Sequence, residues 1–354
     1  MKNRFSLSES GNLYLFALIA MSLVSVIISL IPSKIYFGGL SLSNWLGYGL
    51  IQVAILSTVF VYSKLRKTDF LSAVSLKRKP NVKQLILTPF ITVSCLIAFL
   101  PLSTCFANLL NLIGYKGGVS LPTSPDAAPY IVGLLIIALL PAIGEETLMR
   151  GGVLNGLNGK SVFFGIFISA FLFSFMHSNP LQTVYQFCFG VVLAVCAIYS
   201  GNIICTILMH FFNNFISLTI TTFAPNFLAF DFGGFNYLIY LAMFIVGMML
   251  LTLFMLIFYK VTGKEKQNSA SLEIDDYTFT FTDNEAKKEN FFVTYFKCLG
   301  GIFTKRGWLR FKSTLNDFVD YAGVETEKKH ALSVYIAIGF VSIWWIINFI
   351  LGVV

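Results

Sequence analysis

The sequence predicts an all-α protein, a polytopic bundle of membrane-spanning helices. Three observations carry this: 56% of the 354 residues are hydrophobic, only 12% are charged, and the apolar residues gather into long uninterrupted stretches. A soluble globule carries about 25% charged residues, so this chain has too little polar surface to cover a water-facing fold. A helix needs about 20 apolar residues to cross the hydrocarbon. Such stretches run at roughly 13–31, 45–62, 84–113, 130–155, 161–177, 181–200, 203–222, 237–259 and 331–352, which makes about nine crossings.

Taken in order, the first stretch follows Lys2 and Arg4 and has the outline of a signal peptide. Its apolar run of about 19 residues and the lack of a small-residue cleavage site make it a retained first helix. The third is too long for one straight span and contains Pro101, so it is expected to kink or to leave the membrane as an interfacial helix near Leu102. The fourth carries Glu145, Glu146 and Arg150, the fifth ends at His177, and the seventh carries His210 and Asn214. After Tyr259 the composition breaks. Residues 260–330 hold an acidic part around Glu273, Asp275, Asp276 and Asp283. A basic, aromatic part follows, with Phe296, Lys297, Lys305, Arg306, Trp308, Arg310, Phe311 and Lys312. This segment reads as a cytoplasmic insert whose second half lies on the membrane, with docking of a protein partner as the alternative. Residues 331–354, with Trp344 and Trp345, return the chain across the bilayer, and residues 1–259 form the main transmembrane unit.

Lys and Arg in the short loops set the expected orientation. The second loop holds Lys64, Arg66, Lys67, Lys77, Arg78, Lys79 and Lys83, whereas the first has only Lys34 and the third only Lys116. With Lys2 and Arg4 this places the N-terminus in the cytoplasm. No Lys, Arg, Asp or Glu lies between Lys160 and Asp231, so the later helices inherit their orientation by counting. Anionic headgroups suffice to explain the formal net charge of +8, and nothing points to nucleic acid. The six cysteines show no CxxC spacing, and five of them lie in apolar helices, where Cys behaves as a small hydrophobe.

Carboxylates, imidazoles and a guanidinium are costly inside a membrane, which makes them functional candidates. Glu146 and Arg150 are four apart and face each other on a helix. Glu145 lies about 100° away around the axis and is left without that partner. Phe173 shares a helix face with His177, as His210 does with Asn214. A Glu–Arg clip, a buried histidine and an interhelical His–Asn pair are the bland readings of each motif alone. At about 1.5 Å of rise per residue, Glu145 is roughly 20 Å, His177 nearly 30 Å and His210 about 14 Å from the preceding or following turn. Tilt and uneven loops allow such depths to meet.

Together, Glu145-Glu146-x-x-x-Arg150, Phe173-x-x-x-His177 and His210-x-x-x-Asn214 resemble the CPBP family of intramembrane glutamic proteases. That family includes the CAAX prenyl proteases of the Rce1 type and bacterial relatives linked to bacteriocin processing and self-immunity. The resemblance covers roughly residues 84–222, with 259 as its outer bound, and not the charged insert or the last helix. It implies a core of about eight helices with one extra C-terminal transmembrane helix. It also implies that Glu145, paired with His177, activates a water that attacks a peptide carbonyl, while His210 and Asn214 stabilise the oxyanion. Glu146, Arg150 and Phe173 would support them, and the family is regarded as metal-independent, so no metal or other cofactor is expected. The competing zinc reading lacks the His-Glu-x-x-His helix. A second alternative is a non-enzymatic immunity or scaffold protein that docks a partner through residues 260–330, although every motif position is filled here. The expected partners are a membrane-proximal peptide or protein substrate and membrane lipids, and the expected location is a bacterial plasma membrane.

Overall fold

The first helix, α1 (Leu7–Ser29), starts where Ser6 can cap it. The Ser6 hydroxyl accepts from the Glu9 N–H, and the Glu9 carboxylate accepts from the Ser6 N–H at 2.8 Å, so two orphan donors are satisfied reciprocally. Glu9 also pairs with Arg66 at 2.6 Å. That contact ties the start of α1 to the end of α2 (Leu42–Leu65). The computed structural model describes residues 3–31, 34–118, 120–225, 236–262, 272–274, 277–279, 290–319 and 332–353.

Between α1 and α2 lies a small hairpin, β1 (Tyr36–Phe37) with β2 (Leu40–Ser41), in which Tyr36 pairs with Ser41 and Phe37 with Leu40. The chain then runs through α3 (Val82–Leu112) and a composite α4 (Ala127–Leu157). Next come α5 (Val162–Met176), α6 (Thr183–Ser200), α7 (Ile204–Phe223) and α8 (Asn236–Lys260). A short ribbon, β3 (Leu272–Ile274) with β4 (Tyr277–Phe279), precedes α9 (Phe291–Gly301), α10 (Lys305–Asn316) and α11 (Leu332–Val353).

Among the described residues eight helices are long and apolar enough to cross a membrane, so the chain is an integral membrane protein with an all-α fold. The ninth expected crossing, α5, has only 15 residues, which at 1.5 Å each reach roughly 22 Å, short of a hydrocarbon core of about 30 Å. α3 runs as one helix of 31 residues with both Pro89 and Pro101 inside it, so the third stretch does not pass into a separate helix at Leu102. A proline in a membrane helix is tolerated when neighbouring groups satisfy the freed backbone, and Pro101 is buried.

Two apolar clusters flank α4. One joins α3, α6 and α8 around Phe189, Leu193 and Phe258, and the other joins α1, α2 and α5 around Leu13, Tyr14 and Phe173. In lipid, helices associate through close van der Waals approach. Gly247 of α8 shows this, since a Cβ there would lie 2.3 Å from the Ala98 backbone nitrogen of α3.

The C-terminal α11 is seated against the rest of the bundle. It packs along α1 and α5, and an aromatic column crosses it. Tyr115 stacks on Phe349, Phe349 on Trp345, Trp345 on Phe175 and Phe175 on Phe171, with centroid separations of 6.0, 5.7, 5.3 and 4.1 Å. The Trp345 indole N–H donates to Thr183 Oγ1 at 2.8 Å, bracing the turn between α5 and α6.

The insert also contacts the core. Phe311 and Leu315 of α10 pack on the cluster around α6, Trp308 and Phe311 meet Phe163, and Phe318 meets Tyr199 and Tyr259. Lys305, Arg306 and Arg310 remain exposed, as do Phe296 and Trp308. The acidic positions Asp275, Asp276 and Asp283 lie outside the described residues.

The seam between α1 and α11 depends on Gly11, where an added Cβ would lie 2.6 Å from the Val334 nitrogen and 2.7 Å from the Ser333 carbonyl carbon. Both atoms are backbone and cannot swing aside. Gly11→Val should therefore push α11 off α1 and cost about 1–3 kcal/mol, measured as a lower thermal unfolding midpoint of the detergent-solubilised protein.

Candidate active site

The site is built on α4, which is not uniformly α-helical. Two π-helical stretches, Leu134–Leu139 and Thr147–Val153, flank the α-helical turn Leu140–Glu146 that carries both glutamates. Such stretches recur at functional sites. The first has a cause in the sequence: Pro141 has no N–H, so the Ile137 carbonyl loses its ordinary helical donor. Asn214 Nδ2 of α7 donates to that carbonyl at 3.3 Å.

Arg150 resolves the problem of two adjacent buried carboxylates by taking one of them. Its Nη1 lies 2.7 Å from Glu146 Oε1, with both side chains fully shielded. Its Nη2 donates to the Gly190 carbonyl of α6 at 3.1 Å, and its guanidinium lies 4.4 Å over the Phe173 ring. Desolvated cation–π contacts of this kind contribute about 2 kcal/mol. Phe173 is fully buried, and its ring lies roughly perpendicular to those of both His177 and His210, at centroid separations of 5.0 and 5.7 Å.

Glu145 faces a different set of groups. Its Oε2 lies 3.7 Å from His177 Nε2 and 4.0 Å from His210 Nε2, and this oxygen has no hydrogen-bond partner. The three depths counted from the sequence therefore do meet. Part of the reason is that α5 stops at Met176, so His177 caps it, just before the left-handed Ser178 at φ 53°.

The partners of the ring nitrogens constrain their protons. His177 Nδ1 lies 2.8 Å from the Phe173 carbonyl. A carbonyl can only accept, so Nδ1 carries the proton and Nε2 of the neutral ring turns a lone pair toward Glu145. His210 Nδ1 lies 3.0 Å from Glu146 Oε1, which holds the ring between the two carboxylates. Its Nε2 donates only when the ring carries both protons.

Asn214 joins the cluster less directly than the other three. Its partners are the Ile137 carbonyl and Asn213, whose Nδ2 donates to Asn214 Oδ1 at 3.1 Å. One hydrogen of its amide is committed to Ile137, and the second remains for another acceptor. Asn213, itself buried, accepts from the Tyr185 hydroxyl. This Tyr185–Asn213 link was not anticipated from the sequence, although Asn213 is three residues from His210 and shares its face.

Gln52 of α2 was also missed. Its Nε2 donates to Glu145 Oε1 at 2.9 Å. The available signal was a lone amide deep in an apolar helix, since polar side chains in such helices tend to face a partner. Among the described residues no group of three or more His, Cys, Asp or Glu side chains is gathered as a metal site. A separate cavity of about 640 Å³, lined by Ser41, Asn44, Ser120 and Thr221 among others, includes none of these site residues.

Removing the guanidinium would leave Glu146 buried without its counter-charge. Arg150→Met should therefore destabilise the protein by about 3–5 kcal/mol, whereas Glu146→Gln combined with Arg150→Met should recover much of that loss. Thermal unfolding of the two variants in detergent checks this.

Residues 127–216 match the family described as type II CAAX prenyl endopeptidase Rce1-like. No curated protein and no solved structure shows a significant match. The matched segment begins at the start of α4 and ends in α7, so it contains Glu145, Glu146, Arg150, Phe173, His177, His210 and Asn214. Over this segment, which holds both glutamates, Arg150, both histidines and Asn214, the chain is similar to the Rce1-like family.

Proposed function

We propose that the protein is an intramembrane glutamic endopeptidase that hydrolyses a peptide bond in a membrane-proximal peptide or protein. The observation that carries this reading is the unpartnered Oε2 of Glu145 facing the Nε2 atoms of both His177 and His210 at 3.7 and 4.0 Å. A water at about 2.8 Å from Glu145 and from His177 bridges such a gap without displacing either side chain.

In the first step the water oxygen attacks the peptide carbonyl carbon and its proton passes to Glu145, with the His177 Nε2 lone pair holding the second hydrogen. The carbonyl oxygen becomes an oxyanion, which the doubly protonated His210 ring and the second amide hydrogen of Asn214 stabilise. Donors aimed at such an oxyanion are each worth about 3–4 kcal/mol of barrier. In the second step Glu145 returns its proton to the amide nitrogen as the C–N bond breaks, releasing an amine and a carboxylic acid. Glu146 takes no proton in this sequence, because Arg150 holds it as an anion that supports His210.

The Lys- and Arg-rich loop between α2 and α3 supports a cytoplasmic reading of that side and of the N-terminus. The proposed setting is a bacterial plasma membrane. A leader peptide, a peptide pheromone precursor or another membrane-proximal peptide is the substrate class. The exposed basic and aromatic side chains of α10 hold the insert against anionic lipid, since each basic residue near such a surface contributes roughly 1 kcal/mol. Regulation or partner choice is the role assigned to this segment.

Peptides that accumulate in membranes carrying Glu145→Ala in place of the intact protein identify the substrate. On that substrate the purified Glu145→Gln variant, which keeps the shape of the side chain but cannot take the proton, should lose about 10²–10⁴-fold in kcat with KM little changed. A chelator should leave the unaltered protein active. Activity that a chelator abolishes and zinc restores would replace this mechanism with a metal-dependent one.

A further inference from the structure

We propose that Gln52 is a positioning residue for Glu145, supplied by a helix outside the segment that matches the family; this rests on the protease reading of the site. The side chain is 6% exposed, and its Nε2 donates to Glu145 Oε1 at 2.9 Å. The amide orientation follows from that contact, because the reversed amide would set one oxygen against another. Gln52 Oε1 is buried and has no partner of its own. Glu145 is thus the only group given to this amide as a hydrogen-bond partner among the described residues.

The contact selects which carboxylate oxygen reacts. With Oε1 held by the amide, Oε2 is the one left facing His177 and His210. The charge of the partner also distinguishes the two adjacent glutamates. Glu146 is held by a guanidinium at 2.7 Å and is committed to an ion pair. Glu145 is held by a neutral amide, which fixes its geometry without adding a second cation that would compete for its proton-accepting oxygen.

Gly144 makes this approach possible. A Cβ at that position would lie 2.6 Å from Gln52 Oε1 and 3.4 Å from the Gln52 carbonyl oxygen. The residue beside the glutamate pair therefore has no side chain at the point where α2 comes closest, and Gly144→Ala should displace the amide from the other side of the contact.

The test uses the full-length protein and the peptide accumulated by the Glu145→Ala membranes. Gln52→Met keeps the length and packing of the side chain and removes the donor. The expected result is a fall in kcat of about 10–100-fold, typical of losing a group that orients a reacting one, with KM within about twofold and the thermal midpoint retained. Gly144→Ala should give the same split. If Gln52→Met fails to fold, Gln52→Asn, which keeps the amide but shortens its reach, reads the same two constants. A kcat within twofold of the unaltered protein, or a rise in KM at constant kcat, would overturn the positioning role. If Glu145→Gln abolishes cleavage in that same assay, the protease reading survives the loss of this inference; if Glu145→Gln also cleaves normally, the protease reading itself falls.

Discussion

Two neighbouring buried carboxylates have one guanidinium between them to pair with, and the rest of the site depends on which of them it takes. Arg150 takes Glu146 at 2.7 Å, with both groups sealed from solvent. The same guanidinium donates to the Gly190 carbonyl and rests on Phe173. Phe173 in turn makes T-shaped contacts with both imidazoles, and Glu146 holds His210 through Nδ1. Three helices are thereby locked around a single ion pair. Pairing at such short range in a medium of low dielectric is strong enough to hold buried charges, whereas an unpaired ion there would be costly. Glu145, left out of the pair, is the carboxylate whose Oε2 faces the two histidines without a hydrogen-bond partner.

The placement of Glu145 is completed from outside the segment that matches the family. On one side α2 brings Gln52 to its Oε1. On the other, α11 braces the turn that follows His177, through Trp345 on Phe175 and on Thr183. That turn includes the short 3-10 stretch Pro180–Gln182. The final helix is thereby tied to the residues that follow His177.

Much of the architecture was legible in the sequence, for a physical reason. A membrane helix must satisfy its own backbone and present apolar side chains nearly all round, so its presence is written as a local run of composition. Eight long helices follow that rule. The departure arises where composition is silent about backbone geometry. The apolar run that ends at His177 looks like a full crossing but yields a helix of 15 residues.

In the site, the sequence by itself determined the pairs that lie on one helix. Spacing of four residues places Arg150 on Glu146, Phe173 beneath His177 and Asn214 on the face of His210, because helical periodicity is a local property. Only the tertiary structure decided the relations between helices: that the free oxygen of Glu145 meets both imidazoles, that His210 leans on Glu146, and that Gln52 reaches in from α2. Those distances depend on helix tilt, on where α5 stops and on how closely backbones approach at residues such as Gly144. None of these is encoded in the residues of one helix alone.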